Sequence, residues 1–171
     1  MDILKLEAAK RQLDTAIKLY FKDDDPVSIH TLTAAAHQIL IDLAKPEGTK
    51  SILKDQILIL IKKEYQSKYL SAINEAENFF KHAEKDPGAL LKFNPEQTDF
   101  LLFDAVEMYM RLSKESTQDM SIYRAWFLLK HPDFISIETK NKLKEINVNY
   151  IQYPSTINKL EFYQAIKISL I

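Results

Sequence analysis

The sequence predicts an all-α fold, a single helical bundle of about seven helices that spans residues 1–171. Only two glycines, Gly48 and Gly88, occur in 171 residues, whereas β-hairpins and phosphate-binding loops use glycine freely. Apolar residues recur at helical spacing through most of the chain. A domain of this length buries roughly 70% of the surface of its unfolded chain. It therefore needs no disulfide or structural metal for stability.

Two helices are predicted in the N-terminal part of the chain. The first covers residues 3–21, with Asp2 as its cap and an apolar stripe along one face. Pro26 disfavours the helical conformation for the residue before it and so separates the two helices. The second helix then runs from Pro26 or Ser28 to Ala44.

The next two segments differ in character. Residues 52–61 are apolar nearly all round, which favours a short helix buried on several sides, although the β-branched residues leave a strand open. Residues 64–85 predict a long helix that stops at Asp86, Pro87 and Gly88. Its predicted core residues are Tyr69, Ile73, Ala76, Phe80 and Ala83.

Two further helices and a C-terminal tail complete the prediction. Pro95 starts a densely apolar helix, since proline is tolerated in the first turn, and the following helix ends before Pro132. In the tail, residues 138–146 read as helix and residues 146–151 as a short irregular or strand-like segment. Ser155 or Thr156 would cap a last helix.

Composition excludes several classes of function. Twenty-three basic and 24 acidic residues leave a net charge of −1, so charge does not indicate nucleic acid as a partner, although it leaves a local basic patch open. No cysteine is present, and there is no P-loop or GxGxxG motif, so we expect no cofactor. The longest apolar run, residues 57–61, is far shorter than the ~20 residues that cross a bilayer. The acidic N-terminus lacks the basic start of a signal peptide, and we expect a cytoplasmic protein.

The richest candidate for a ligand site is the segment 78–87. As a helix end it places Asn78, Lys81 and His82 beside the Phe80 stripe, with Asp86 one turn beyond His82. A carboxylate there would orient the imidazole and raise its basicity. The alternative is structural, because lysine and histidine also complement the negative end of a helix.

The second predicted helix carries His30 and His37. Seven residues separate them, so they share a face, but about 10 Å lies between their Cα atoms, too far for one metal ion. We therefore predict no metal site, and count His30 as a further ligand-binding candidate. The alternative is that His30 bonds locally and His37 lies on a solvated or interfacial face. Asp99 and Asp104 have no histidine at metal-binding spacing.

Three segments carry a resemblance to a known group of proteins. Residues 25–32 (DPVSIHTL), 78–87 and 125–129 (AWFLL) resemble a family of bacterial, mostly proteobacterial, cytosolic proteins of uncharacterised function. The resemblance covers about residues 5–135 and implies that these segments share one domain. It implies no activity.

A second resemblance concerns Arg124 and His131. Their spacing is similar to the Arg-x(4–6)-His motif of HEPN domains, helical bundles that often act as metal-independent ribonucleases and commonly dimerise. The resemblance implies that Arg124 stabilises charge on the scissile phosphate and that His131 moves a proton. Ala125 stands where those motifs usually carry a polar residue. The alternative role for His131 is to complement the helix end.

The sequence thus supports two classes of function. The first is a non-catalytic regulatory module that binds a small ligand or a protein partner near residues 78–87 and His30. The second is a HEPN-like ribonuclease that uses Arg124 and His131. A homodimer would fit either class, since the apolar helix at residues 100–112 could form an interface.

Overall fold

A computed structural model describes residues 1–84, 86–134 and 158–169 of the chain, and it confirms the all-α prediction. The described residues form seven α-helices and no strand. The predicted helix at 138–146 and the segment at 146–151 lie outside the described residues. The seven helices are α1 (Lys5–Phe21), α2 (Pro26–Ala44), α3 (Ile57–Leu60), α4 (Lys63–Lys81), α5 (Glu96–Ser113), α6 (Gln118–Lys130) and α7 (Lys159–Ser169).

Helices α1, α2, α5 and α6 surround the core, and α7 packs on α6 and α1. The largest fully buried side chains of the core include Phe21, Leu102 and Tyr123. Helix α5 is covered by α1, α2 and α6, so most of its apolar residues are buried within this chain, while Phe103 and Met110 are half-buried.

Helix starts follow local sequence chemistry. Asp25 caps α2, because its carboxylate accepts hydrogen bonds from the backbone N–H and the hydroxyl of Ser28, and Pro26 occupies the first turn. One predicted cap is wrong, because no side chain caps α1, which begins at Lys5. At the start of α7 the side chain of Asn158 accepts the backbone N–H of Glu161, and the predicted caps Ser155 and Thr156 lie outside the described residues.

The apolar segment 52–61 is helical but is not buried as predicted. A single π-helical turn (Ile52–Gln56) leads into α3, and Ile59 and Leu60 are 71% and 84% exposed. The segment is short and meets the core at one end only, where Asp104 of α5 accepts the N–H groups of Ile52 and Leu53.

Helix α4 lies on the outside of the bundle and contacts α2. Of its five predicted core residues only Ala76 is buried, while Ala83 is exposed beyond the helix. The helix ends at Lys81 rather than near Lys85, and His82 is already extended. The chain then turns back, which lets Phe93 pack on Phe80.

Candidate functional site

The four candidate ligand residues at the end of α4, Asn78, Lys81, His82 and Asp86, are all exposed. Asn78, His82 and Asp86 line one open groove of about 860 Å³. Lys81 does not line this groove and instead pairs with Glu77 at 2.5 Å. The structure therefore brings three of the four together, on a surface open to solvent.

The predicted support of His82 by Asp86 depended on one continuous helix. Because α4 ends at Lys81 and His82 has an extended backbone, Asp86 does not follow His82 by one helical turn. The backbone N–H of His82 instead donates to the carbonyl of Asn78, as expected for a residue that closes a helix. The region matches the structural alternative as well as it matches a ligand site.

His30, the fifth candidate, lies apart from these residues in the interior. Its ring is 1% exposed, and Nδ1 lies 2.9 Å from the hydroxyl of Thr98 on α5. The rings of Phe80 and Phe93 pack edge-to-face on it, with centroids 5.8 and 5.3 Å away. Thus α2, α4, α5 and the loop after α4 all contribute to the environment of this imidazole.

His30 forms part of the wall of a pocket of about 320 Å³ between α4 and α5. This volume is at the lower end of the range for small-molecule sites. The lining carries no ionised side chain. It consists of His30, Leu53, Tyr69, Ala72, Ile73, Gln97, Phe100 and Leu101.

The Nε2 atom of His30 is buried and has no hydrogen-bond partner in the described part of the protein. Buried polar atoms of this kind are uncommon, because leaving one unpaired costs about 1–3 kcal/mol. Burial lowers the pKa of His30 below its ordinary value of 6.5, while the nearby Glu77 raises it and Lys81 lowers it. The ring is therefore a neutral imidazole at neutral pH.

This lowered pKa predicts a pH-dependent stability. The unfolded chain takes up a proton on His30 near pH 6.5 and the folded protein does so only at lower pH, so the free energy of unfolding falls as pH drops below about 6.5. We expect His30→Phe to lose less stability than the wild type between pH 7.5 and 5.5 in urea titrations. The control His82→Gln removes an exposed histidine and should behave as the wild type does. If His30→Phe lost as much free energy of unfolding between pH 7.5 and 5.5 as the wild type does, the prediction would be contradicted.

A second buried polar cluster joins His37, Asp104 and Ser51. The carboxylate of Asp104 accepts hydrogen bonds from His37 Nε2 at 2.9 Å and from Ser51 Oγ at 2.5 Å. It also accepts hydrogen bonds from the two backbone N–H groups at the π-helical turn. All three side chains are fully buried. The alternative that placed His37 on a solvated or interfacial face is therefore wrong.

This cluster contains the residue types of a hydrolase triad but not the arrangement. In a triad the serine bonds to the histidine, whereas here both Ser51 and His37 bond to the carboxylate of Asp104. Burial raises the pKa of Asp104, but hydrogen bonds from His37, Ser51 and Ile52 outweigh this effect, so the net pKa is lowered. The carboxylate stays ionised, and its role is to hold the π-helical turn on α5.

The HEPN-like pair lies on α6 and at its end. Arg124 is 46% exposed and its Nε bonds to the carboxylate of Glu107. His131 is 20% exposed, 4.0 Å from Asp99, and packs against the rings of Phe100 and Phe127. Each side chain is thus engaged with a different acidic residue.

Asp99 organises a polar pocket of about 360 Å³ near the end of α6. Its Oδ2 lies 2.6 Å from Lys130 Nζ and accepts a hydrogen bond from the hydroxyl of Tyr20. That hydroxyl in turn accepts a hydrogen bond from Trp126 Nε1. Lys159 places its ammonium 4.2 Å from the Tyr20 ring centroid. These groups satisfy one another, which favours a structural role.

Sequence reasoning missed Asp99 and Asp104 as partners of histidine. Neither aspartate has a histidine at short spacing in the sequence. His37 lies 67 residues from Asp104, and only the packing of α2 on α5 joins them. Their burial within an apolar helix was the available signal, since aspartate is almost never fully buried unless paired. No group of three or more potential ligands placed to hold a metal ion occurs among the described residues.

Taken together, the fold and the site define an all-α protein with a largely apolar pocket that a neutral histidine helps to line. No described helix has the length and apolar character needed to cross a membrane. No family model, no curated protein and no solved structure matches the chain. The two family resemblances stay predictions, and the function proposed below depends on this chain's own residues.

Proposed function

We propose that the protein is a non-catalytic regulatory module that binds a small ligand in the pocket lined by His30. The proposal is supported by one residue, His30, which lines a pocket without ionised side chains and whose Nε2 atom is buried and has no hydrogen-bond partner among the described residues. A ligand that bonds to Nε2 would offset the cost of leaving that atom unpaired. The exposed groove at Asn78, His82 and Asp86 has no comparable feature.

The pocket is connected through Leu53 to an exposed apolar surface that a protein partner could bind. Leu53 lines the pocket, its carbonyl accepts the Tyr69 hydroxyl at 3.0 Å, and its N–H donates to Asp104. The same segment continues into α3, where Ile59 and Leu60 are exposed. A ligand that displaces Leu53 would therefore change an apolar surface available to a partner.

An NMR titration with acetophenone as the probe tests the proposal. We expect saturable amide shifts at Leu53 and Leu101, which line the pocket, and a smaller response at Ile59. Ala72→Trp should abolish these shifts, because Ala72 lines the pocket as well as the outer groove. The matched control Ser71→Trp places the same side chain on the adjacent position, which lines only the outer groove, and should bind normally. Shifts that do not saturate, or that survive Ala72→Trp, would contradict the proposal.

The HEPN-like ribonuclease remains the competing class. It requires RNA cleavage that depends on both Arg124 and His131, without a metal ion. A cleavage assay with single-stranded RNA in the presence of EDTA separates the classes. Activity that is lost in Arg124→Ala and in His131→Ala would favour the ribonuclease over the binding module.

A further inference from the structure

The hydrogen bond between His30 and Thr98 favours one of the two tautomers of the imidazole. Nδ1 lies 2.9 Å from Thr98 Oγ1, and either atom can donate. If Nδ1 donated, the hydroxyl proton of Thr98, which is also buried, would need a second acceptor, and the described residues provide none. If the hydroxyl donates to Nδ1, its proton is satisfied. The proton of the neutral ring then lies on Nε2.

With this tautomer, the unpaired Nε2 of His30, a residue that lines the pocket, is a hydrogen-bond donor. The remaining lining is apolar or aromatic, apart from the side chain of Gln97 and the hydroxyl of Tyr69, which already donates to the carbonyl of Leu53. A complementary ligand must therefore present an acceptor to Nε2 and apolar surface to the other walls.

The size of the pocket limits the ligand further. A volume of about 320 Å³ equals the space of about ten water molecules at about 30 Å³ each, which corresponds to a compact ligand with a similar number of non-hydrogen atoms. The aromatic rings of Phe100 and Tyr69 favour a ligand ring in edge-to-face or offset contact.

We infer that the pocket binds an uncharged, single-ring ligand whose carbonyl or other acceptor oxygen receives a hydrogen bond from Nε2 of His30. This inference depends on the proposed function and names the ligand class for the same pocket. A charged ligand is disfavoured, since no ionised side chain lines the pocket to offset its desolvation.

Access to Nε2 requires a local rearrangement. The atom is covered in the structure, and the rings of Phe80 and Phe93 pack on the imidazole. Phe93 lies in the loop between α4 and α5, which contains no α-helix in its described residues. Side-chain changes of this size are common on binding, and we expect Phe93 to move when the ligand binds.

Three probes of similar size test the inference by NMR titration. Acetophenone carries an acceptor, α-methylstyrene has nearly the same shape without one, and indole carries only a donor. We expect acetophenone to bind about fivefold more tightly than α-methylstyrene, as one added hydrogen bond allows. This preference should disappear in His30→Phe. In the wild type, long-range ¹⁵N spectra should show the proton on Nε2, and acetophenone should shift that signal.

Each outcome separates the inference from the proposed function. If none of the probes binds, the proposed function fails. If all three bind equally and the Nε2 signal does not move, the pocket stands but the hydrogen bond is wrong, as it would be if the N–H pointed at a phenylalanine ring. If indole bound most tightly, Nε2 would be an acceptor and the proton would lie on Nδ1, which would overturn the inference. The spectra of the wild type decide the question even if His30→Phe does not fold.

Discussion

Asp104→Ala is expected to lower the free energy of unfolding by about 3–5 kcal/mol, because several buried groups lose their acceptor and each unpaired group costs about 1–3 kcal/mol. The alanine would leave the ring of His37, the hydroxyl of Ser51 and the backbone N–H groups of Ile52 and Leu53 without their acceptor. In a chain of 171 residues this loss lowers the melting temperature by about 10 °C or more. Urea titration followed by circular dichroism measures it.

The pH dependence of this loss tests whether the charge of the Asp104 carboxylate, rather than the packing of its side chain, provides the stability. The lowered pKa of Asp104 means that its contribution is complete above about pH 4 and is lost as pH falls from 3.8 through the pKa of the folded state. The gap between wild type and Asp104→Ala should therefore narrow below pH 4. The control variant Asp42→Ala removes an exposed aspartate that pairs with Lys45. The midpoint of its urea unfolding should stay near the wild-type value. Equal losses in the two variants would contradict the prediction.

Phe21→Ala is expected to cost about 3–5 kcal/mol, because it opens a cavity at the centre of the aromatic core. Phe21 is fully buried, stacks on Tyr163 of α7 at 4.7 Å between centroids, and lies edge-on to Tyr123 and Trp126. The change should therefore weaken the docking of α7 more than the contact of α2 with α5. Hydrogen exchange of the α7 amides measures that local effect.

A fluorescence readout is available because Trp126 is the chain's single tryptophan. Its ring is buried and its Nε1 donates to the Tyr20 hydroxyl, so we expect a red-shifted emission in Phe21→Ala. Phe79→Ala serves as the control, since Phe79 is half-buried on the outer helix α4. It should cost less than half as much and leave the emission unchanged. A similar cost for both variants would show that Phe21 is not central to the core.

The helices of the core were predictable because local patterns determine them. The bounds of α2 follow from the proline at residue 26 and from a continuous apolar stripe, and the structure confirms both ends. The end of α4 was not predictable in this way. Beyond Lys81 the structure packs Phe93 against Phe80 and His30, a contact between segments that sequence periodicity does not encode.

The candidate site was predictable only in part, for a related reason. Sequence reasoning selected His30 as a residue type suited to binding, but it grouped that histidine with the exposed residues Asn78, Lys81, His82 and Asp86. The pocket depends on α4 and α5 approaching each other around His30, and such long-range pairing follows from packing rather than from residue spacing. The same limit concealed Asp104 as the partner of His37.

The two buried histidines of α2 also affect the uniqueness of the fold. Since His30 bonds to Thr98 and His37 bonds to Asp104, α2 and α5 run in the same direction, with two polar contacts about 10 Å apart along the pair. A slip of one helical turn would break both contacts at once and leave Asp104 as an unpaired charge in the interior. Apolar side chains tolerate such a slip better than polar ones do. These contacts therefore select one alignment of α2 and α5 over its neighbours.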